Sequence, residues 1–184
     1  MTAPTETFPV EVAGVSRHLR LFAIKPGVRI AILNILGDTE LVEAVASALA
    51  DKLRTRDFEL LVTAEAKAIP LAHAVSARMG VPYVVLRKAY KPYMGDALRS
   101  ETLSITTGQP QTLYLDEKDR ALIAGRKVCV LDDVISTGST LQGIRLILDK
   151  AGAIVTTEAA IFTEGDRARW ADIIALGHLP VFID

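Results

Sequence analysis

Between residues 40 and 56, apolar side chains return every fourth position, at Leu41, Val45, Leu49 and Leu53. That spacing gathers them on one face and predicts an amphipathic helix, with Asp38 or Thr39 as its cap. A second helical pattern covers about 68–79 and stops at Gly80. A third covers about 139–150, with Leu141, Ile144 and Leu148 facing inward and Gly152 as its stop signal. Short apolar runs lie between these helices, at 60–62, 82–86, 128–131, 153–162 and 180–183. They read as strands of a sheet covered on both faces. A nearly apolar stretch, 28–36, follows the turn Lys25-Pro26-Gly27, and residues 166–174 predict a short helix. Residues 1–16, apolar at Phe8, Val10 and Val12, predict an extended N-terminal arm or edge strand.

Strands alternating with helices predict an α/β fold with a mainly parallel sheet flanked by helices. Residues 89–110 interrupt the pattern with Pro92, Gly95, Gly108 and Pro110. They read as a long excursion, part of it a β-hairpin ending in 111–115, with a flexible lid over about 90–109. No repeat or linker is visible, so residues 1–184 make a single domain. Aromatics are only 5% of the chain, which calls for an aliphatic core. Twenty-one basic residues against 22 acidic ones exclude a generally basic nucleic-acid binder. Cys129 is the single cysteine, which excludes a disulfide framework and a multi-cysteine zinc site. No apolar run approaches the ~18 residues of a membrane span. The opening residues 1–7 show no signal peptide, so the expected location is the cytoplasm.

In a parallel sheet, ligands sit beyond the carboxyl ends of the strands. That directs attention to the loops 63–67, 87–91 and 132–140. The last is the most informative: Asp132-Asp133-Val134-Ile135-Ser136-Thr137-Gly138-Ser139-Thr140. Ser136, Thr137, Gly138, Ser139 and Thr140 open a helix with hydroxyls and closely approachable N–H groups, as a phosphate needs. Asp132 and Asp133 would repel that phosphate, and suit sugar hydroxyls or a metal-bound water better. A ribose 5-phosphate satisfies both halves. An acid pair alone would read as a cap on an ordinary turn; the hydroxyl run beside it points to an anion. Neither a P-loop nor a Gly-x-Gly-x-x-Gly dinucleotide loop is present.

These thirteen residues, 128–140, resemble the phosphoribosyl pyrophosphate signature of the type I phosphoribosyltransferases. Further likeness covers most of the chain. Lys25-Pro26-Gly27-Val28 with Leu36 and Asp38 resembles the hood of adenine phosphoribosyltransferases, and Glu65-Ala66-Lys67 their pyrophosphate loop. Arg87-Lys88 with Lys91 resembles the basic pair after the next strand. Leu33-Asn34, Ser104-Ile105-Thr106 and the tail from Thr163-Glu164-Gly165 to Leu176-Gly177 are also similar to xanthine phosphoribosyltransferase.

The resemblance implies a purine-salvage transferase, adenine-type first, xanthine- or guanine-type as the alternative. It implies a small hood from about 1–38 plus the C-terminal end. Ser136 to Thr140 would cradle the 5-phosphate, and Asp132 and Asp133 would hold the ribose hydroxyls; with Lys67 they form the implied catalytic set. Ala64, Glu65, Ala66 and Lys67 would face pyrophosphate around a cis peptide. Arg87, Lys88 and Lys91 would meet it too, in part across a homodimer interface. Mg²⁺ would act through substrate and water, with no direct protein ligand. Phe22, Asn34 and Val134 are the implied base contacts, with Tyr90 a further candidate. Three positions depart from the pattern: Lys67 and Ala68 stand where arginine and glycine are usual, and Thr106 where the adenine enzymes carry a lid glutamate. A non-catalytic regulator that senses phosphoribosyl pyrophosphate is the other reading. Such regulators usually carry an added nucleic-acid-binding segment, for which residues 1–27 are too short and too poorly basic. No nucleic-acid or membrane partner is therefore expected. His18, His73 and His178 are dispersed, and Cys129 lies on a buried run, so all four are expected to be structural or surface residues. Trp170 is expected in the core or at a dimer contact.

Overall fold

The computed structural model describes residues 6–103 and 110–183. Strands β1 (Thr7–Val12), β2 (Val15–Lys25) and β3 (Val28–Ile32) are followed by helix α1 (Thr39–Leu53), β4 (Leu60–Ala64), α2 (Ile69–Met79) and β5 (Tyr83–Leu86). The hairpin β6 (Leu98–Leu103) and β7 (Pro110–Leu115) leads to α3 (Glu117–Ile123), β8 (Lys127–Ile135) and α4 (Ser139–Lys150). Strands β9 (Ile154–Glu164), β10 (Ile174–Leu179) and β11 (Val181–Ile183) complete the order.

Five strands form the central sheet in the order β10-β9-β8-β4-β5, every neighbouring pair parallel. Alternation along each strand divides its side chains between two cores. Leu61, Cys129, Leu131 and Ile161 pack with α1 and α2 on one face. Leu60, Val62, Val128 and Val130 pack on the other with Leu141, Ile144, Ile147 and Leu148 of α4 and with Leu113 and Leu115 of β7. The expected α/β fold is thus the observed one, and its core is aliphatic. Asp38 caps α1 by accepting from Leu41 N–H at 3.2 Å. Its two oxygens also accept from Arg17 Nε and Nη2, both at 2.8 Å, which ties β2 to the start of the helix.

The hood is a separate antiparallel sheet, β1-β2-β3-β11, in which the N- and C-terminal segments meet. Phe8 and Phe182 pack edge to face there, with centroids 5.3 Å apart. Residues 7–12 are the edge strand that the pattern predicts, β1, paired with β2 in a hairpin. It turns at Ala13 and Gly14, both at positive φ, the backbone that a two-residue hairpin turn requires. The run 28–36 leaves the sheet at Ile32, although Leu33 and Ile35 remain buried. The helix expected over 166–174 is one 3₁₀ turn, Ala168–Trp170, and the chain then enters β10. Ile174 and Leu176 lie on this edge strand, and together with Ile173 they pack against the two cores.

The 89–110 excursion is a hairpin whose stem is packed. Ser100 is buried and its hydroxyl donates to Gly143 O on α4 at 2.8 Å. Met94, Leu113 and Leu115 are buried as well. The tip, including Thr106 and the other positions 104–109, lies outside the described residues. Among the described residues, no helix is long and apolar enough to cross a membrane.

Candidate active site

Strands β4, β5, β8 and β9 run parallel, so their carboxyl ends open on the same edge of the sheet. The pyrophosphate-type loop 64–67, the basic segment 87–91 and the acidic and hydroxyl segment 132–140 all converge on that edge. β8 is longer than its apolar run: it stays paired with β9 as far as Ile135↔Thr163. Asp132 and Asp133 therefore sit on a strand end and not in a loop, where backbone pairing holds them in place.

Asp133 is 7% exposed, and its Oδ2 lies 3.1 Å from Lys67 Nζ. The geometry there makes an ion pair without a hydrogen bond, since Oδ2 has no hydrogen-bond partner. Lys67 Nζ also donates to Leu33 O at 3.1 Å. Asp132 is half-buried, and its Oδ1 accepts from Asp133 N–H at 2.8 Å. Burial first, and the Asp133 carboxylate second, push the Asp132 carboxyl well above its usual range. An acid pair in this state favours ligands that bring hydroxyl donors or positive charge. Thr63, at the end of β4, likewise has a buried hydroxyl without a partner.

Glu65 faces the next loop. It accepts from Arg87 Nε and from Lys88 N–H, each at 2.6 Å. Burial works against its charge, but these bonds outweigh it and hold the carboxyl below the usual range. Arg87 is thereby engaged with Glu65, whereas Lys88 and Lys91 are exposed. The Glu65–Ala66 peptide is cis. Ala64 closes β4 just before it.

Gly138 caps α4 at φ 81, a left-handed conformation that glycine adopts freely. A Cβ there would come within 2.6 Å of the Trp170 ring. Trp170 is fixed in turn, since its Nε1 donates to Glu164 O at 3.0 Å. Arg169 stacks 4.6 Å over that ring and donates to Thr137 O at 2.7 Å. The hydroxyls of Thr137 and Ser139 meet at 3.1 Å, and Thr140 Oγ1 lies 3.4 Å from Gln111 Oε1 of β7. Hydroxyls and first-turn N–H groups thus surround the start of α4, as an anion site requires.

Beside this loop, a cavity of about 480 Å³ separates the hood from the sheet. Phe22, Ile24, Ile30 and Val181 line it from the hood; Ser136, Thr137, Glu164 and Trp170 line it from below. Phe22 is 57% exposed and lines this cavity. Asn34 and Val134 are not among its lining residues: Asn34 is exposed and accepts from Leu36 N–H at 3.3 Å, and Val134 packs toward the α1–α2 core. Tyr90 lies against Tyr114 and donates to Gly95 O, at the foot of the hairpin. A different crevice, of about 520 Å³, flanks the opposite end of β9, where Arg145 and Glu158 neutralise each other.

Glu164 is a further candidate, which the sequence reading named within a stretch of likeness but gave no role. It ends β9 one strand from the acid pair, so the same strand-end rule that selected the other loops would have selected 163–166. Its side chain is 94% buried by exposure of only 6%, and desolvation alone pushes its carboxyl up to about 7. The unfolded chain releases this proton near the ordinary carboxylate value, whereas the folded protein keeps it up to about 7. Stability therefore falls as pH rises from about 4.5 to 7. Glu164→Gln is expected to raise stability at pH 8 by about 1–2 kcal/mol and to leave it unchanged near pH 4. Urea unfolding at the two pH values measures this, and an equal effect at both would show that ionisation is not the cause.

The chain is 30% identical over 132 residues to the purine biosynthesis transcriptional repressor PurR of Bacillus subtilis, an alignment covering 72% of this chain and 46% of PurR. It is 33% identical over 128 residues to the hypoxanthine/guanine phosphoribosyltransferase of Methanococcus voltae, covering 70% of this chain and 64% of that one. The aligned regions thus span less than two thirds of either relative. The crystal structure of adenine phosphoribosyltransferase from Thermoanaerobacter pseudethanolicus superposes with a TM-score of 0.71 at 23% identity, over 87% of this chain and 95% of that one. Residues 32–173 match the family model of the phosphoribosyl transferase domain. That stretch holds the acid pair, the hydroxyl loop, Lys67 and Glu164, and the chain belongs to the phosphoribosyl transferase domain family.

Proposed function

We propose that this protein is a purine phosphoribosyltransferase, joining a purine nitrogen to C1 of phosphoribosyl pyrophosphate with release of pyrophosphate. The observation that carries this reading is the adjacency of three parts. An acid pair for a ribose and a hydroxyl-lined helix start for its 5-phosphate sit beside a cavity with an aromatic wall for a base. Adenine is the base that the sequence motifs place first. The relatives named hypoxanthine/guanine phosphoribosyltransferases put those two bases beside it.

In this mechanism, the new C1–N bond forms as the C1–O bond to pyrophosphate breaks, and the nitrogen's proton leaves to solvent or to a pyrophosphate oxygen. Cation-like charge develops at the sugar, as in glycoside cleavage. Asp132 and Asp133 hold the ribose hydroxyls, which turns the sugar's reacting face to the base. Lys67, paired with Asp133 before substrate arrives, turns toward the leaving pyrophosphate, joined by Lys88 and Lys91. Phe22 and Trp170 flank the base and exclude water. The protein's contribution is orientation and charge neutralisation. The acid pair fits Mg²⁺ held through substrate and water, because Asp133 Oδ2 is an orphaned, buried oxygen. Among the described residues, no cluster of three or more His, Cys, Asp or Glu side chains could hold the ion directly. When bound, Mg²⁺ would neutralise the pyrophosphate charge.

The test is a panel of adenine, guanine, hypoxanthine and xanthine with phosphoribosyl pyrophosphate and Mg²⁺, read as release of nucleotide. Turnover of one or more bases supports the transferase. Micromolar binding of phosphoribosyl pyrophosphate without turnover of any base would support a sensor, a reading that the similarity to PurR keeps in view.

A homodimer is also proposed. The hood presents Ile32, Leu36 and Ile183, the last 81% exposed, and a two-fold partner would cover them. Sedimentation at micromolar concentration is expected to give twice the mass of the chain, and a monomer would remove this assembly.

A further inference from the structure

The Glu164 carboxyl is a buried acid with no assigned work. No described side chain donates a hydrogen bond to it or pairs with its charge, and only desolvation acts on it. It lines the cavity together with Phe22, Ile24 and Trp170. A carboxylate placed so is expensive unless something else supplies donors. The basic and acidic groups closest along the wall are occupied: Arg169 holds Thr137 O and the Trp170 face, and Asp166 caps Ala168 N–H. Backbone pairing of Ile135 with Thr163 places Glu164 beside the loop proposed to hold the 5-phosphate. A base attached to that ribose would therefore enter the cavity with an edge toward this carboxyl.

We propose that Glu164 determines which base is accepted, by taking two adjacent N–H donors from a 2-amino-6-oxo purine, guanine. The proposal rests on the reading above, that this cavity takes the base of a phosphoribosyl acceptor. At pH 8 the carboxyl is ionised and offers two parallel acceptors and no donor. Guanine matches it, because its N1–H and 2-amino group point the same way and form two charge-assisted bonds. Hypoxanthine lacks the 2-amino group and loses one of them. Xanthine replaces the amino group with an oxygen, which would face the carboxylate lone pair to lone pair. Adenine presents an unprotonated N1 where guanine presents a donor. Between guanine and hypoxanthine the difference is one charge-assisted hydrogen bond, and a site built around a buried acceptor loses most when that acceptor is left unpaired.

The experiment is calorimetric and needs no turnover. At pH 8, GMP, IMP, AMP and XMP are titrated into wild type and Glu164→Gln, with ribose 5-phosphate as the ligand that has no base. GMP is expected to bind wild type about 10–150-fold more tightly than IMP, the value of one charged hydrogen bond. In Glu164→Gln the gap is expected to shrink to within about threefold, because the amide can also donate to an oxo group. Equal binding of GMP and IMP by wild type would overturn the assignment. So would tighter binding of AMP or XMP than of GMP, or a gap that survives in the variant. Failure of ribose 5-phosphate to bind wild type would instead remove the site reading beneath the proposal, and the proposal with it.

Discussion

Asp133→Asn is expected to weaken binding of phosphoribosyl pyrophosphate by about 10–150-fold, and to lower turnover at subsaturating substrate by a similar factor. Asp133 is almost fully buried, yet one of its oxygens has no hydrogen-bond donor in the protein. In the proposed function, a sugar hydroxyl or a metal-bound water supplies the donor that this oxygen lacks. The amide keeps the shape and loses the charge, so a charge-assisted bond becomes a neutral one. The fold should tolerate the change. Lys67 is about half exposed when it loses its partner, and its Leu33 O bond remains. Asp132 gains as well, since the like charge that helps push its carboxyl upward is gone. Calorimetry and thermal unfolding of the same variant separate the two effects. An unchanged affinity would count against the ribose role. A loss of affinity together with a fall of many degrees in Tm would mean that the variant reports on folding.

The same residues explain how far the sequence could be read. The acid pair and the hydroxyl run are contiguous, so their chemistry and their place at a strand end are both written in thirteen neighbouring positions. Lys67 and Arg87 were legible as strand-end cations. Their partners were not, because Lys67 meets Asp133 across 66 positions of chain and Arg87 meets Glu65 across 22. The cavity was less legible still. Its walls come from β2, β3 and β11 of the hood, and the pairing of β11 with β3 joins the two ends of the molecule. No local pattern marks such a pairing. Asn34 was placed near the base by resemblance alone; the chain leaves the sheet at Ile32, and this side chain accepts from its own backbone at Leu36 N–H. Helix α3 was missed because seven residues show too little periodicity, even with Asp116 capping it through Lys118 N–H. Thr106, where the family's lid acid would stand, lies outside the described residues.

Gly138→Ala is expected to lower kcat/KM by a hundredfold or more, through ~1 Å of displacement at the 5-phosphate loop. Two separate effects act at this residue. At φ 81 an alanine pays the left-handed backbone penalty of about 1–2 kcal/mol. Its Cβ would also stand 2.6 Å from Trp170 Cη2, well inside van der Waals contact. Trp170 cannot swing away without giving up its bond to Glu164 O, and Arg169 clamps the other side of the loop through Thr137 O. The loop must therefore move, and the hydroxyls of Thr137 and Ser139 move with it. Gly152→Ala separates strain from displacement. Gly152 lies just beyond the far end of α4 at φ 73, and a Cβ there meets nothing within 4 Å. It should lose a similar 1–2 kcal/mol of stability and leave binding of ribose 5-phosphate unchanged. Measured side by side, the two variants are expected to share a drop in Tm, while Gly138→Ala alone loses the phosphate. Equal phosphate affinity in both would mean that the α4 start is not the anion site.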